Sequence, residues 1–157
     1  MTIEVIPLEE SHIPDVRCLL AGYLSTAPDG VEELEPPSTE QLEQCEYNIR
    51  KLLQDRSAFC YVAWKGELAL GFIVHSWSFS ISKGGSVLRV DALYCSPKHR
   101  RQGVGRTLMQ HALQVAKSND AVRMQLETDD DNTQARALYQ QFGFEPITGK
   151  GVYMAFL

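Results

Sequence analysis

The chain is short of everything that would mark a membrane or exported protein. No apolar run reaches the length of a bilayer span, and Met1-Thr2-Ile3-Glu4-Val5 lacks the basic region that opens a signal peptide. The expected compartment is therefore the cytoplasm, with no membrane partner. Cysteine is scarce and scattered: Cys18, Cys45, Cys60 and Cys95 show no Cys-x-x-Cys spacing. Four free thiols are expected in a reducing compartment. His12, His75, His99 and His111 make no close pairs with those cysteines, so no metal site is expected. Positive charge is also in deficit. The net charge of −5 argues against nucleic acid as the main partner.

The deficit is local. No Lys or Arg occurs between Arg17 and Arg50, an interval that carries Asp29, Glu32, Glu33, Glu35, Glu40, Glu43 and Glu46. Lys98 to Arg106 is basic by contrast. The first region suits a cationic partner and the second an anionic one. A solvated loop and helix face is the plainer account of the first.

What is present fits one domain over residues 1–157, large enough for a single core. Thr2 to Pro7 predicts a strand. Ser11 is the expected N-cap of a first helix with Ile13, Val16, Leu19, Leu20 and Tyr23 on its apolar face. Ser38 and Gln41 form a capping box for a second helix. Strands are expected at Phe59–Trp64, Leu68–Trp77, Val87–Cys95 and Val122–Thr128, and as the last pair at Phe144–Pro146 and Val152–Leu157. A central helix follows Gly103, and a last helix opens at Asn132 and stops at Gly143.

The most informative stretch is His99-Arg100-Arg101-Gln102-Gly103-Val104-Gly105-Arg106. It leads from a strand into a helix whose Val104, Leu108, Met109, Ala112, Leu113 and Ala116 recur at helical spacing. A helix start offers free N–H groups and partial positive charge, and glycines let a ligand approach the backbone. A phosphate or pyrophosphate ligand is indicated. The dinucleotide fingerprint fails at Leu108. The Walker pattern fails twice, with Arg106 for its Lys and Arg100 for its first Gly.

Arg-x-x-Gly-x-Gly, Arg100 to Gly105, resembles the acetyl-CoA pyrophosphate loop of the GNAT superfamily of N-acetyltransferases. Asn132-Thr133-Gln134-Ala135-Arg136-Ala137-Leu138-Tyr139, followed by Phe142-Gly143-Phe144, is similar to that superfamily's second signature. The resemblance covers the second half of the chain closely and the first half only in its order of elements. It implies an α/β fold, with a mixed, mostly antiparallel central sheet flanked by about four helices.

It further implies acetyl-CoA as co-substrate and no metal. Arg100, Arg101, Gln102, Gly103, Val104, Gly105 and Arg106 would hold the pyrophosphate. The backbone of Leu93, Tyr94 and Cys95 would bind the pantetheine arm, and Asn132 its amide. Tyr139, seven residues past Asn132, would be the general acid near the sulfur. Polyamine acetyltransferases of the superfamily carry a Glu where this chain has Asp91, which makes Asp91 the candidate base. By strand alternation Asp91 should share the face of Arg89, Leu93 and Cys95. A salt bridge to Arg89 is its competing role.

Glu127 is a second candidate base. His75 is expected to be a half-buried histidine with its hydrogen bonds satisfied. The expected activity is acetyl transfer to a small cationic primary amine. A protein acetyltransferase, or a CoA-binding module without turnover, is the alternative. A homodimer is entertained as the assembly, with nothing in the sequence to decide it.

Overall fold

The chain from residue 58 to 95 is a run of strand-forming residues broken only by Lys65-Gly66-Glu67 and a second turn at 81–84, and it builds the middle of a sheet. The computed structural model describes residues 2–25, 35–129 and 132–157. In chain order its elements are β1 (Glu4–Pro7), α1 (Ile13–Ser25), α2 (Thr39–Gln54), β2 (Ala58–Lys65), β3 (Leu68–Ser80), β4 (Gly85–Cys95), α3 (Val104–Ser118), β5 (Arg123–Leu126) and α4 (Thr133–Gln141). The five strands lie in sequence order, β1-β2-β3-β4-β5. The first three pairings are antiparallel and β4 with β5 is parallel. A parallel pair needs a crossover, and α3 supplies it. This is the mixed, mostly antiparallel sheet with helices that the resemblance implies.

Two compact units divide the chain, Met1–Glu127 and Thr128–Leu157. In the first, α1 and α2 cover one face of the sheet. Leu8, Ile13, Val16, Leu19 and Ile49 meet Cys60, Val62, Trp64 and Phe72 there. Alternation sends the intervening Tyr61 to the opposite face, where its ring lies 4.2 Å from that of His111 on α3. Leu108, Met109 and Ala112 of α3 are fully buried. Each large apolar side chain buried in this way contributes roughly 1.5–3 kcal/mol.

The capping box is present at α2: Gln41 N–H donates to Ser38 Oγ at 3.1 Å, and Ser38 N–H to Gln41 Oε1 at 2.8 Å. Ser11 does not cap α1. The chain enters α1 through a 3-10 turn, Glu10–His12, in which the Glu9 N–H donates to His12 Nδ1 at 3.1 Å. A turn that tightens before the helix leaves Ser11 inside it. All four cysteine thiols are free.

In the second unit Gly143 takes φ +86° just beyond α4, the left-handed stop expected of it. The two last strands are not formed: residues 144–157 carry no strand. Val152, Tyr153, Met154 and Phe156 are exposed instead, Tyr153 by 96 %. β-propensity only describes a fit to a pleated, half-buried surface, and these residues have no ladder partner. No described helix is long and apolar enough to cross a membrane.

Candidate active site

The site is organised by one extra residue in β4. Across from β3, Val74 faces Ala92 and His75 faces Val90, which leaves Asp91 without a partner of its own. Such a bulge bends a strand and interrupts its pairing. On its other side β4 pairs with β5 only from Val87 to Val90. From Asp91 to Cys95 that edge of β4 has no strand partner among the described residues. Backbone N–H and C=O groups are obligatory hydrogen-bonding groups, and along this edge no neighbouring strand meets them among the described residues. Leu93, Tyr94 and Cys95 all lie on this stretch.

The bulge also overturns the expectation for Asp91. Cross-strand partners share a face. Leu93 pairs with Ile73 on the α3 face, whereas Arg89 pairs with Ser76, which alternates with Phe72 and Val74 on the α1 and α2 face. Arg89 and Leu93 therefore point to opposite sides, and Asp91 lies at the switch between them. Alternation fails because it assumes one residue per pleat.

Beyond β4 the chain makes a short 3-10 turn, Pro97–His99. Ser96 N–H donates to Leu70 O at 2.9 Å, and Arg100 Nε to Cys95 O at 3.4 Å, which ties the basic segment to the end of the sheet. Arg101 takes φ +63° and Gly103 φ +83°. Gly103 occupies the N-cap of α3 without a side chain to cap it, and a Cβ placed there would meet nothing within 4 Å. Thr107 closes the first turn, its N–H and hydroxyl donating to Gly103 O at 2.9 and 2.7 Å. Val104, 1 % exposed, anchors the helix from below. A positive helix end beside Arg100, Arg101 and Arg106 thus opens without a capping side chain.

The carboxylates divide differently from the expected roles. Arg89 makes its ion pair with Glu127, at 3.0 Å, rather than with Asp91. Glu127 is thereby held by a cation, while Asp91 is exposed and has no ion pair among the described residues. His75 is neither half-buried nor satisfied. It is 1 % exposed, and neither ring nitrogen has a hydrogen-bond partner among the described residues. Its ring stacks on Tyr61 at 5.4 Å. Burial, with the neighbouring His111, pushes its pKa down to about 4, Asp91 opposing. A ring that stays neutral there is a poor proton acceptor at neutral pH.

In the second unit Asn132 is the N-cap of α4, its side chain accepting from Ala135 N–H at 3.3 Å. That bond uses the Asn132 oxygen and not its amide N–H groups. Tyr139 lies in α4 with its ring edge-on to Phe144 at 6.0 Å.

Of the acidic interval, Asp29, Glu32 and Glu33 lie outside the described residues. Glu46 is engaged by Arg17 at 3.3 Å and Arg50 at 3.0 Å. Those three residues also line a cavity of about 370 Å³ together with Glu10 and Ile13, which contains none of the candidate site residues.

The description "Acetyltransferase (GNAT) family" matches residues 24–144, and the chain belongs to that family. A thialysine N-epsilon-acetyltransferase from Caenorhabditis elegans is 28% identical over 100 residues, 64% of this chain and 62% of that protein. Human N-alpha-acetyltransferase 30 is 29% identical over 148 residues, 91% of this chain and 35% of that protein. The matched segment thus spans less than two thirds of either relative. A crystal structure of a probable acetyltransferase superposes with a TM-score of 0.79 at 25% identity, covering 98% of this chain and 97% of that one.

Proposed function

We propose that the protein is an acetyl-CoA-dependent N-acetyltransferase acting by direct attack of a primary amine, and that its acceptor is a small cationic amine. One observation carries the reading. A strand edge left unpaired from Asp91 to Cys95 runs directly into a helix start with no capping side chain at Gly103. Polar backbone of one kind suits an amide-bearing arm, and that of the other kind suits a pyrophosphate. The open space over Gly103 fits the close approach that such a ligand requires.

In this reading Arg100 to Arg106 hold the diphosphate, Leu93 to Cys95 hold the pantetheine arm through their backbone, and Asn132 uses its remaining amide donors. Bound acetyl-CoA supplies the activated thioester. A primary amine with a pKa of about 10 arrives protonated, so the chain must accept a proton before attack. Asp91, exposed and free of an ion pair among the described residues, takes that proton directly or through water. Tyr139 returns one to the departing sulfur. Burial pushes the Cys95 thiol up to about 11 against the opposing pull of Arg100. A thiol that stays protonated is no nucleophile, which favours direct transfer over an acetyl-cysteine. Residues 1–157 act here as one catalytic domain.

A second reading, acetylation of a protein N-terminus, is favoured by the 91% of this chain that aligns with the human N-alpha-acetyltransferase. A panel of amines and peptides, scored by release of free CoA thiol, separates the two. Turnover confined to small cationic amines is expected. Turnover confined to peptides would reverse the order, and tight CoA binding without thiol release from any acceptor would remove both.

A further inference from the structure

The α3 face of β3 loses bulk towards the start of the strand. His75 and Ile73 are large and fully buried there, and Gly71, the next residue on that face, has no side chain at all. Gly71 is buried and pairs with Cys95, at the end of the β4 edge that has no partner on its other side. It does not take a positive φ, so the backbone conformation does not demand glycine. Glycine weakens a strand interior, and it marks places where another backbone comes close.

A Cβ built at Gly71 would overlap the Tyr94 carbonyl oxygen. It would also stand 3.1 Å from Cys95 Cα and 3.2 Å from Val104 Cγ1. Two of these atoms belong to the backbone of β4, and the third to the first residue of α3. None of them can step aside alone. Ser96 N–H donates to Leu70 O at 2.9 Å, which holds the end of β4 to the residue beside Gly71. Val104 is 1 % exposed, so its side chain has no free space to turn into. Gly85, at the other end of β4, is the contrast. A Cβ there would meet only the side chain of Val122, which is exposed and can turn away.

We infer that Gly71 is a positioning residue for acetyl-CoA: by leaving out a side chain it lets the start of α3 close on the end of β4, and so sets the span between the strand edge that takes the pantetheine arm and the helix start that takes the diphosphate. The inference rests on the acetyl-CoA reading and refines it. A ligand that engages both places needs them at one fixed separation. Gly71 lies beneath both and acts through them. A methyl group at this position must push either Tyr94 and Cys95 or Val104, and each push moves one half of the site against the other. Misplacement by about 1 Å is enough to cost up to about 100-fold in a reaction that depends on orientation.

The test is calorimetry with CoA as the probe, with melting temperatures measured alongside. Gly71→Ala should weaken CoA binding by about tenfold or more. Its melting temperature should fall as well. Ile49→Ala, in the core under α1 and α2, supplies such a fall without the displacement and should bind CoA like the wild type. Adding Val104→Ala to Gly71→Ala removes the Cγ1 contact and leaves the overlap with Tyr94. The double variant should therefore bind CoA more tightly than Gly71→Ala and less tightly than Val104→Ala alone, a non-additive relief that lost packing does not produce. It also serves if Gly71→Ala does not fold, because binding equal to that of Val104→Ala would then overturn the inference and weaker binding would support it. Wild-type affinity in Gly71→Ala, equal weakening in Ile49→Ala, or a double variant no tighter than Gly71→Ala would overturn the inference and leave acetyl transfer standing. A wild-type protein that binds no CoA would overturn both.

Discussion

α2 and α3 begin in opposite ways. At α2 the chain satisfies itself, with Ser38 and Gln41 exchanging hydrogen bonds across the first turn. At α3 it supplies Gly103, which has nothing to offer the free N–H groups. One start is closed by its own side chains, and the other has no side chain to close it. α4 is intermediate, because Asn132 caps it and keeps its amide N–H groups in reserve. A helix start that is capped stabilises the fold, and one that is bare binds anions.

This contrast can be broken experimentally. The largest effect is expected at α4. If Asn132 directs the arm so that Tyr139 meets the sulfur, Tyr139→Phe should lower turnover by roughly 10²–10⁴-fold, the usual range for general acid catalysis. CoA affinity and melting temperature should barely move. Near-normal turnover would leave Tyr139 as a packing residue against Phe144.

Next comes the bare start itself. Gly103→Glu puts a negative charge over α3, and calorimetry should show CoA affinity reduced by at least about 100-fold, equivalent to about 2.7 kcal/mol. Because Gly103 sits at φ +83°, any side chain there is strained, by roughly 1–2 kcal/mol. Gly103→Ala carries that strain without the charge. If alanine and glutamate weaken CoA equally, the strain and not the anion site is responsible.

The sheet face beneath α3 carries a different liability. His75, held near pKa 4 by burial, has an unfolded value near 6.5. Its folded value is depressed, so the unfolded chain binds the extra proton first. Stability is then full above about pH 6.5 and falls as pH drops toward 4, by on the order of 3 kcal/mol. His111, also lowered by burial, acts in the same direction. Denaturant titrations of His75→Phe should show that acid slope flattened. An unchanged slope would transfer it to other groups.

The smallest effect belongs to the closed start. Ser38→Ala should cost about 1 kcal/mol of stability and leave CoA binding untouched. A loss of CoA affinity there would end the distinction between the two starts.

Much of this was readable before the fold. The segment from Val87 to Ser118 announces itself because a strand pattern, two glycines and a helical period meet in order. The Ser38–Gln41 box and the Gly143 stop are local devices, written in a few adjacent residues. What escaped depends on partners distant in sequence. Whether His75 finds a hydrogen bond is decided by β2 and α3. Arg89 had two acids within reach and took Glu127, 38 residues away. The apolar tail Val152–Leu157 has the composition of a strand, but pairing also needs a neighbour. Ser11 was misplaced by a single turn, because a 3-10 entry and an N-cap draw on the same residues.

The bulge at Asp91 has a consequence for reading β4 as text. A strand is a two-letter alphabet of inward and outward, and one inserted letter inverts everything after it. Counted back from Cys95, the odd positions are those that meet α3. Counted forward from Gly85, it is the even ones, Leu88 and Val90. The same strand thus addresses α3 with both parities. Odd-numbered Arg89 and even-numbered Tyr94 come to lie on the same side. A single inserted residue lets its ten neighbours divide between the α3 face and the α1 and α2 face with the parity reversed midway, without any change in their own chemistry.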